Sequence, residues 1–138
     1  MDYVAIIAGA FAVMALGFAW FHPALFGKSW MRGAGLTEED MKGGNPLVMV
    51  GALLMAAVIA YAFSRYVHPE PGMHQFVHGG FHGLMNGLLY VAPVLISKGL
   101  FEKKDLGWIL LGTAYWVLAI ALVAGIVYWL TPLAPAAG

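Results

Sequence analysis

The residues best equipped for chemistry stand in one stretch, His68-Pro-Glu70-Pro-Gly-Met73-His74-Gln-Phe-Val-His78-Gly-Gly-Phe-His82-Gly-Leu-Met85-Asn86, which holds four of the chain's five histidines. His74, His78, His82 and Asn86 recur every four residues, a spacing that puts them on one face of a helix. Histidines at i and i+4 can chelate one metal ion, as in helical zinc sites. Successive imidazoles at this spacing rise by ~6 Å along the axis, so one ion takes two of them and hardly a third. The metal candidates are therefore His74, His78 and His82, with His68 and Glu70 as supplementary ligands, and the cofactor is open between a divalent metal, copper and haem. Bis-histidine haem ligation within one chain needs His68; otherwise it needs a homodimer with paired third helices. Two other readings compete: imidazoles that only hydrogen-bond across helices at a polar seam, and imidazoles that handle a proton or a substrate. Beside the stripe run Gly79, Gly83 and Gly87, small residues that let another helix approach closely.

Little else in the chain resembles a reaction centre. It has no cysteine, hence no disulfide and no thiolate ligand or nucleophile. Paired carboxylates inside a span, a Ser-His-Asp set and a phosphate-binding loop are missing from the sequence. Formal charge is zero with no basic run, which argues against nucleic acid as a partner. The eight methionines are scattered as filler. Tyr115 and Trp116 are expected to pack inside the protein and not to stack on a cofactor.

These residues must be positioned by helices in a membrane. The 138 residues are 62% hydrophobic and 10% charged, with a mean hydropathy of +0.80. Soluble domains are nearer half apolar and a quarter charged. A bilayer core of ~30 Å needs about 20 apolar residues per helix, so four spans and short loops use nearly the whole chain as one domain. The expected spans are Tyr3 to Phe21, Leu47 to Val67, Gln75 to Ile96, and Leu106 to Leu130. Within them stand no Asp, Glu or Lys, and the one Arg, Arg65, is near an end. A charge at mid-bilayer costs at least ~2.5 kcal/mol, so that pattern is strong evidence. The start of the chain lacks a basic segment and its apolar run continues past Phe18, so it reads as a retained helix and not a cleaved signal.

Lys28, Arg32 and Lys42 follow the first span and Lys98, Lys103 and Lys104 follow the third, against Arg65 alone at the opposite end. The positive-inside bias then places these two loops in the cytoplasm and both termini outside. Trp20, Trp30 and Trp108 at one end, and Tyr61, Tyr66, Tyr128 and Trp129 at the other, fit interfacial belts. Ala24 to Met31 is expected to lie in the interface, Phe26 and Trp30 toward lipid tails. Thr37 is expected to cap a short helix carrying Glu38, Glu39 and Asp40.

The two halves of the chain also match each other. Gly17-Phe-Ala-Trp-Phe-His-Pro-Ala-Leu-Phe-Gly-Lys28 aligns without gaps on Gly87-Leu-Leu-Tyr-Val-Ala-Pro-Val-Leu-Ile-Ser-Lys98, and Gly9 meets Gly79 at the same offset. This pattern implies two tandem hairpins, about residues 1–67 and 73–130, with Pro23 and Pro93 ending their helices at equivalent points.

The segment Trp20-Phe-His-Pro-Ala-Leu-Phe-Gly-Lys-Ser-Trp30-Met31, followed by Gly35-Leu-Thr-Glu-Glu-Asp40, resembles the N-terminal signature of the domain-of-unknown-function 1761 family. The Gly-rich third helix, the Ala92-Pro93 step and the Gly112 to Tyr115 opening of the last helix are similar too. At Trp116, where the family often has a histidine, this chain departs from the pattern. The resemblance implies a small all-α membrane protein of the bacterial inner membrane, and it supplies no activity and no site residues. The leading expectation is a non-enzymatic helix-bundle module that contacts lipid and associates with copies of itself or with a membrane complex. A metal- or haem-binding protein in transport or redox work is the second, and an intramembrane enzyme acting on a lipid-like molecule the third.

Overall fold

The computed structural model describes residues 2–66 and 70–132, and every regular element among them is a helix. Its elements are α1 (Tyr3–Trp20), α2 (Gly27–Ala34), α3 (Glu38–Met41), α4 (Pro46–Tyr66), α5 (Gln75–Asn86), a π-helical segment (Gly87–Val91), α6 (Ala92–Phe101) and α7 (Leu106–Leu130). Because α5, the π segment and α6 are continuous, four helices are long and apolar enough to cross a membrane. Polar side chains set where the spans begin. Asp2 accepts from the Ala5 amide, Asn45 from the Leu47 amide and Asp105 from the Trp108 amide, each meeting one of the unpaired amides of a first turn.

The last span is the centre of the bundle. Half of α7 is buried, against 17–22% of each other span. Most of the core is small: Ala10 and Val13 of α1, Ala56 and Ala60 of α4, and Ala119, Val123, Ala124 and Val127 of α7, with Phe63, Tyr115 and Ile120 as its larger members. Small side chains prevail because apolar burial gives little drive between helices in lipid; close dispersion contact must supply it. The third span takes this furthest. A Cβ at Gly79 would stand 2.5 Å from the Ala124 carbonyl oxygen, one at Gly83 2.5 Å from that of Ile120, and one at Gly87 3.0 Å from Val117 Cα. The expected small-residue stripe is thus the face laid on α7, backbone against backbone.

That face continues past Gly87 through an irregularity. The next buried residue is Ala92, five positions on, and then Gly99. Five residues advance an α-helix well past one turn, but in the π segment the Ala92 amide bonds the Gly87 carbonyl, so both remain on one side. The wider turn also sits just before Pro93, whose ring would clash with the carbonyl four residues back in a regular helix. Pro93 therefore does not end the third span, contrary to the symmetry drawn with Pro23, and the helix runs on to Phe101. Pro23 lies three residues beyond the end of α1, in a turn. The matched glycines do keep a likeness: Gly9 packs on Val123 and Gly17 on Tyr115, so α1 also lays its glycines on α7.

At the lysine-rich end the link after α1 folds back onto the bundle. The helix there is Gly27–Ala34, starting later than the hydrophobic pattern suggests, and it ends on Gly35 in the left-handed conformation (φ 71°). Phe26 and Trp30 meet protein and not only lipid: Phe26 lies 4.5 Å from the Trp20 ring and Trp30 5.2 Å from that of Phe21. Gly33 permits the fit, since a Cβ there would come within 2.5 Å of Trp108. The short α3 carries the expected cap as a reciprocal pair, Asp40 N–H donating to Thr37 Oγ1 and Thr37 N–H to Asp40 Oδ2. The Thr37 hydroxyl also donates to Asp40 Oδ2 at 2.6 Å, and this bond, more than the one from the Thr37 amide, holds the Asp40 carboxyl below its usual range.

Candidate functional site

The histidine stripe splits at its first member. His74 is the N-cap of α5, exposed, with an extended backbone, and its side chain caps nothing. The chain turns there because Gln75 reaches back over the loop, its Nε2 donating to the carbonyls of Glu70 (2.7 Å) and Met73 (2.9 Å). Glu70 is exposed, and His68 lies outside the described residues. His22 is at the far end of α1, where its Nδ1 accepts from the Ala24 amide. Among the described residues no three of His, Asp or Glu converge closely enough to hold a metal ion.

His78 and His82 do come together. Both are half-buried, one turn apart on α5, with their Nε2 atoms 2.9 Å from each other. At that distance one imidazole donates and the other accepts, since two bare lone pairs would repel. Asn86, one turn further, donates its Nδ2 to the His82 carbonyl (2.8 Å), occupying a backbone oxygen and continuing the polar line down the helix.

The residue that completes the group comes from the opposite helix. Tyr128 stands edge-on to His78 (5.4 Å between rings) and stacked on His82 (6.2 Å). It is 1% exposed, so it belongs to the core and not to the interfacial belt in which hydropathy places it. Its ring fits because Gly79 has no side chain: a Cβ there would meet Tyr128 Cγ at 2.6 Å. Sequence reading misses Tyr128 because its neighbours on α7 give no cue; the cue is on the partner helix, where a glycine every fourth residue leaves space for one large ring. Trp129, next in the chain, is 63% exposed and fits the belt.

The cluster has unused hydrogen-bonding capacity. Among the described residues His78 Nδ1 and the Tyr128 hydroxyl are buried with no partner. An unmet buried polar atom costs about 1–3 kcal/mol, so a group that reached either atom would be stabilised there. Further along the third span, from Asn86 on, a groove of about 390 Å³ separates it from α4, lined by Asn86, Tyr90, Val58, Phe63 and Tyr66 and floored by Ile120 of α7. The polar face of α5 therefore leads from the paired imidazoles into an apolar furrow within the spans.

Three apolar helices packed around a fourth, with imidazoles on an inner face and charged side chains only near the span ends (Arg65, Lys98), define a multi-pass membrane protein. The chain belongs to the family described as Protein of unknown function (DUF1761), whose pattern matches residues 4–128. No curated protein and no solved structure matches it.

Proposed function

We propose that the protein is a non-enzymatic binding and assembly module of the bacterial inner membrane, whose polar seam at His78, His82, Asn86 and Tyr128 receives a polar group of a partner helix. The observation that carries this reading is the pair of unpartnered buried atoms, His78 Nδ1 and the Tyr128 hydroxyl, on a polar helix face whose last member, Asn86, lines a groove between helices. A second copy of the chain or a subunit of a larger complex would supply that group from within the bilayer, where water does not compete. The loops with six of the seven basic residues face the cytoplasm in this reading. The test is energy transfer between two differently labelled copies in liposomes, with and without His78→Leu and His82→Leu. Hydrogen bonds between membrane helices average ~0.6 kcal/mol and reach ~1.7, so association should weaken about three- to twentyfold. Copies that never associate, and a chain that copurifies with no other membrane subunit, would remove the assembly reading.

The distance between the imidazoles favours a second reading. Two nitrogens bound to one tetrahedral zinc ion, each at ~2.0–2.1 Å, stand roughly 3.4 Å apart. His78 and His82 need to open by only a fraction of an ångström to reach this from 2.9 Å. A haem is a poorer fit, because its two axial ligands must approach from opposite faces and these rings converge from one helix. Zinc or copper added to the detergent-purified protein should bind stoichiometrically, be lost in His78→Gln, and be stripped by acid, since protonated imidazole is no ligand. Binding that persists in the double Gln variant would place the metal elsewhere.

A further inference from the structure

A different site opens at the lysine-rich end, on the far side of the bundle's core from the histidines. There α1, α2, α4, α6 and α7 part around a cavity of about 340 Å³, within the size range of small-molecule sites. Its walls are aromatic: Phe21, Trp30, Trp108, Tyr115 and Trp116 all line it. The rings brace one another, Phe21 lying 5.2 Å from Trp30 and 5.0 Å from Tyr115, and Tyr115 5.2 Å from Trp116. Tyr115 is further fixed by its hydroxyl, which donates to the Val13 carbonyl of α1 at 3.2 Å. This is a rigid, ring-lined space and not a slack seam between helices.

Two polar groups in the lining are unused. Thr113 is 6% exposed and, among the described residues, its hydroxyl has no hydrogen-bond partner. The Trp108 indole N–H is buried and also without a partner among them. An indole N–H only donates and a hydroxyl can donate, so the group that satisfies both is an acceptor oxygen. Charge is cancelled at the rim, where Lys98 and Glu102 close on each other at 2.6 Å. The rim therefore offers no net charge to attract an ionic ligand.

We propose that this cavity binds a flat, uncharged, lipid-soluble molecule with a carbonyl oxygen, of the quinone or aromatic-ketone class, its ring between the aromatic walls and its oxygen accepting from Thr113 and Trp108. Quinones quench indole fluorescence on contact, and three tryptophans line the site. The probe is therefore 2-methyl-1,4-naphthoquinone, titrated against the full chain in lipid nanodiscs, with quenching as the readout. Saturable quenching is expected. Gly112→Leu should weaken it at least tenfold, because Gly112 lines the cavity and a Cβ there meets nothing within 4 Å, so the new side chain fills the space without a clash. Ala52→Leu fills the same space from α4 and guards against a folding defect peculiar to one variant. Thr113→Val keeps the shape and removes a hydroxyl that nothing else uses; it should weaken binding three- to tenfold. Quenching that never saturates, or that is unchanged in both filling variants, reports partitioning into lipid and overturns the proposal. Displacement of the quinone by equimolar methyl decanoate would assign the cavity to an acyl chain and overturn it as well.

Discussion

At the scale of single residues, the side chains that matter most are those that are missing. Gly83 and Gly80 stand on the same helix three residues apart, yet a Cβ at Gly83 meets the Ile120 carbonyl at 2.5 Å and Ala121 Cα at 2.7 Å, while one at Gly80 meets only the Ala121 carbonyl at 3.7 Å. Backbone cannot swing aside, so Gly83→Leu must force α5 from α7 and should cost about 1–3 kcal/mol or more, the range of overpacked cores. Gly80→Ala should be neutral or slightly stabilising, since alanine is the better helix former. Unfolding titrations of the two variants in mixed micelles check the contrast, and equal losses would contradict it. Tyr115 has a subtler role. Its hydroxyl bonds a carbonyl of α1, so Tyr115→Phe should lose about 0.6 kcal/mol, the average for such bonds between membrane helices, in the same titration. Outside the spans, the Asp40 carboxyl is held below its ordinary value of 3.8 by its bonds to Thr37. A depressed native pKa stabilises above the unfolded value and loses that contribution as pH falls through the native one. The α3 cap should therefore be intact at neutral pH and open only in strong acid, below 3.8. Hydrogen exchange at the Asp40 amide measures this, and Thr37→Ala should accelerate it already at pH 7.

The scale of elements is where the sequence was most legible and also where it misled. Spans two and four start and stop within a residue of their hydropathic limits, because caps and prolines mark them: Asn45-Pro46 and Asp105 at the starts, Thr131-Pro132 at the end of span four. The glycine stripe was equally open to reading, since a four-residue period of small side chains has one strong use between membrane helices. The π segment was not. Nothing in its composition, Gly87-Leu-Leu-Tyr-Val91, sets it apart from an α-helix, and Pro93 looks like a terminator until the helix behind it is known to widen. The clue is the interval: the face steps by four from Gly79 to Gly83 to Gly87, then by five to Ala92. Likewise His78 and His82 were found from their spacing, whereas Tyr128 was not, because which ring lies over a glycine depends on the register of two helices. The interval can be tested directly. Deleting Leu89 in a Pro93→Ala background turns the five-residue step into four, so an ordinary α-helix would keep Ala92 and Gly99 on α7. Deleting Leu84 instead rotates Gly87 and everything after it off that face. The first variant should retain most of the wild-type thermal stability in nanodiscs and the second should not; the opposite ranking would show that the π segment does more than preserve the face.

For the whole molecule, one helix, α7, contributes to a site at each end. The histidine pair stacks on Tyr128 near the end of α7, and the aromatic cavity is built on Trp108, Thr113, Tyr115 and Trp116 near its start. Both sites depend on the same orientation in the membrane, and so does the proposed chemistry, since the carbonyl ligand would meet the lysine-rich loops and the partner or metal would meet the opposite end. That orientation rests on six basic residues at one end, Lys28, Arg32, Lys42, Lys98, Lys103 and Lys104, against Arg65 at the other. The acidic residues Glu38, Glu39 and Asp40 share the first loop, but acids contribute little to the bias, so they do not offset it. Two of the lysines are held by acids close by in sequence, Lys42 by Glu39 at 3.0 Å and Lys98 by Glu102 at 2.6 Å; both pairs are exposed and leave the basic count unchanged. A reporter inserted near Gly43 should therefore read as cytoplasmic and one fused after Gly138 as non-cytoplasmic. Replacing Lys28, Arg32, Lys98 and Lys104 together with glutamine leaves Lys42 and Lys103 against Arg65, a margin of two to one in place of six to one. The population should then become mixed, with a fraction of each reporter on the wrong side of the membrane. A wild-type reporter pattern with the two ends exchanged would invert the orientation, and with it the compartment that each site faces, while leaving the four-span bundle as it stands.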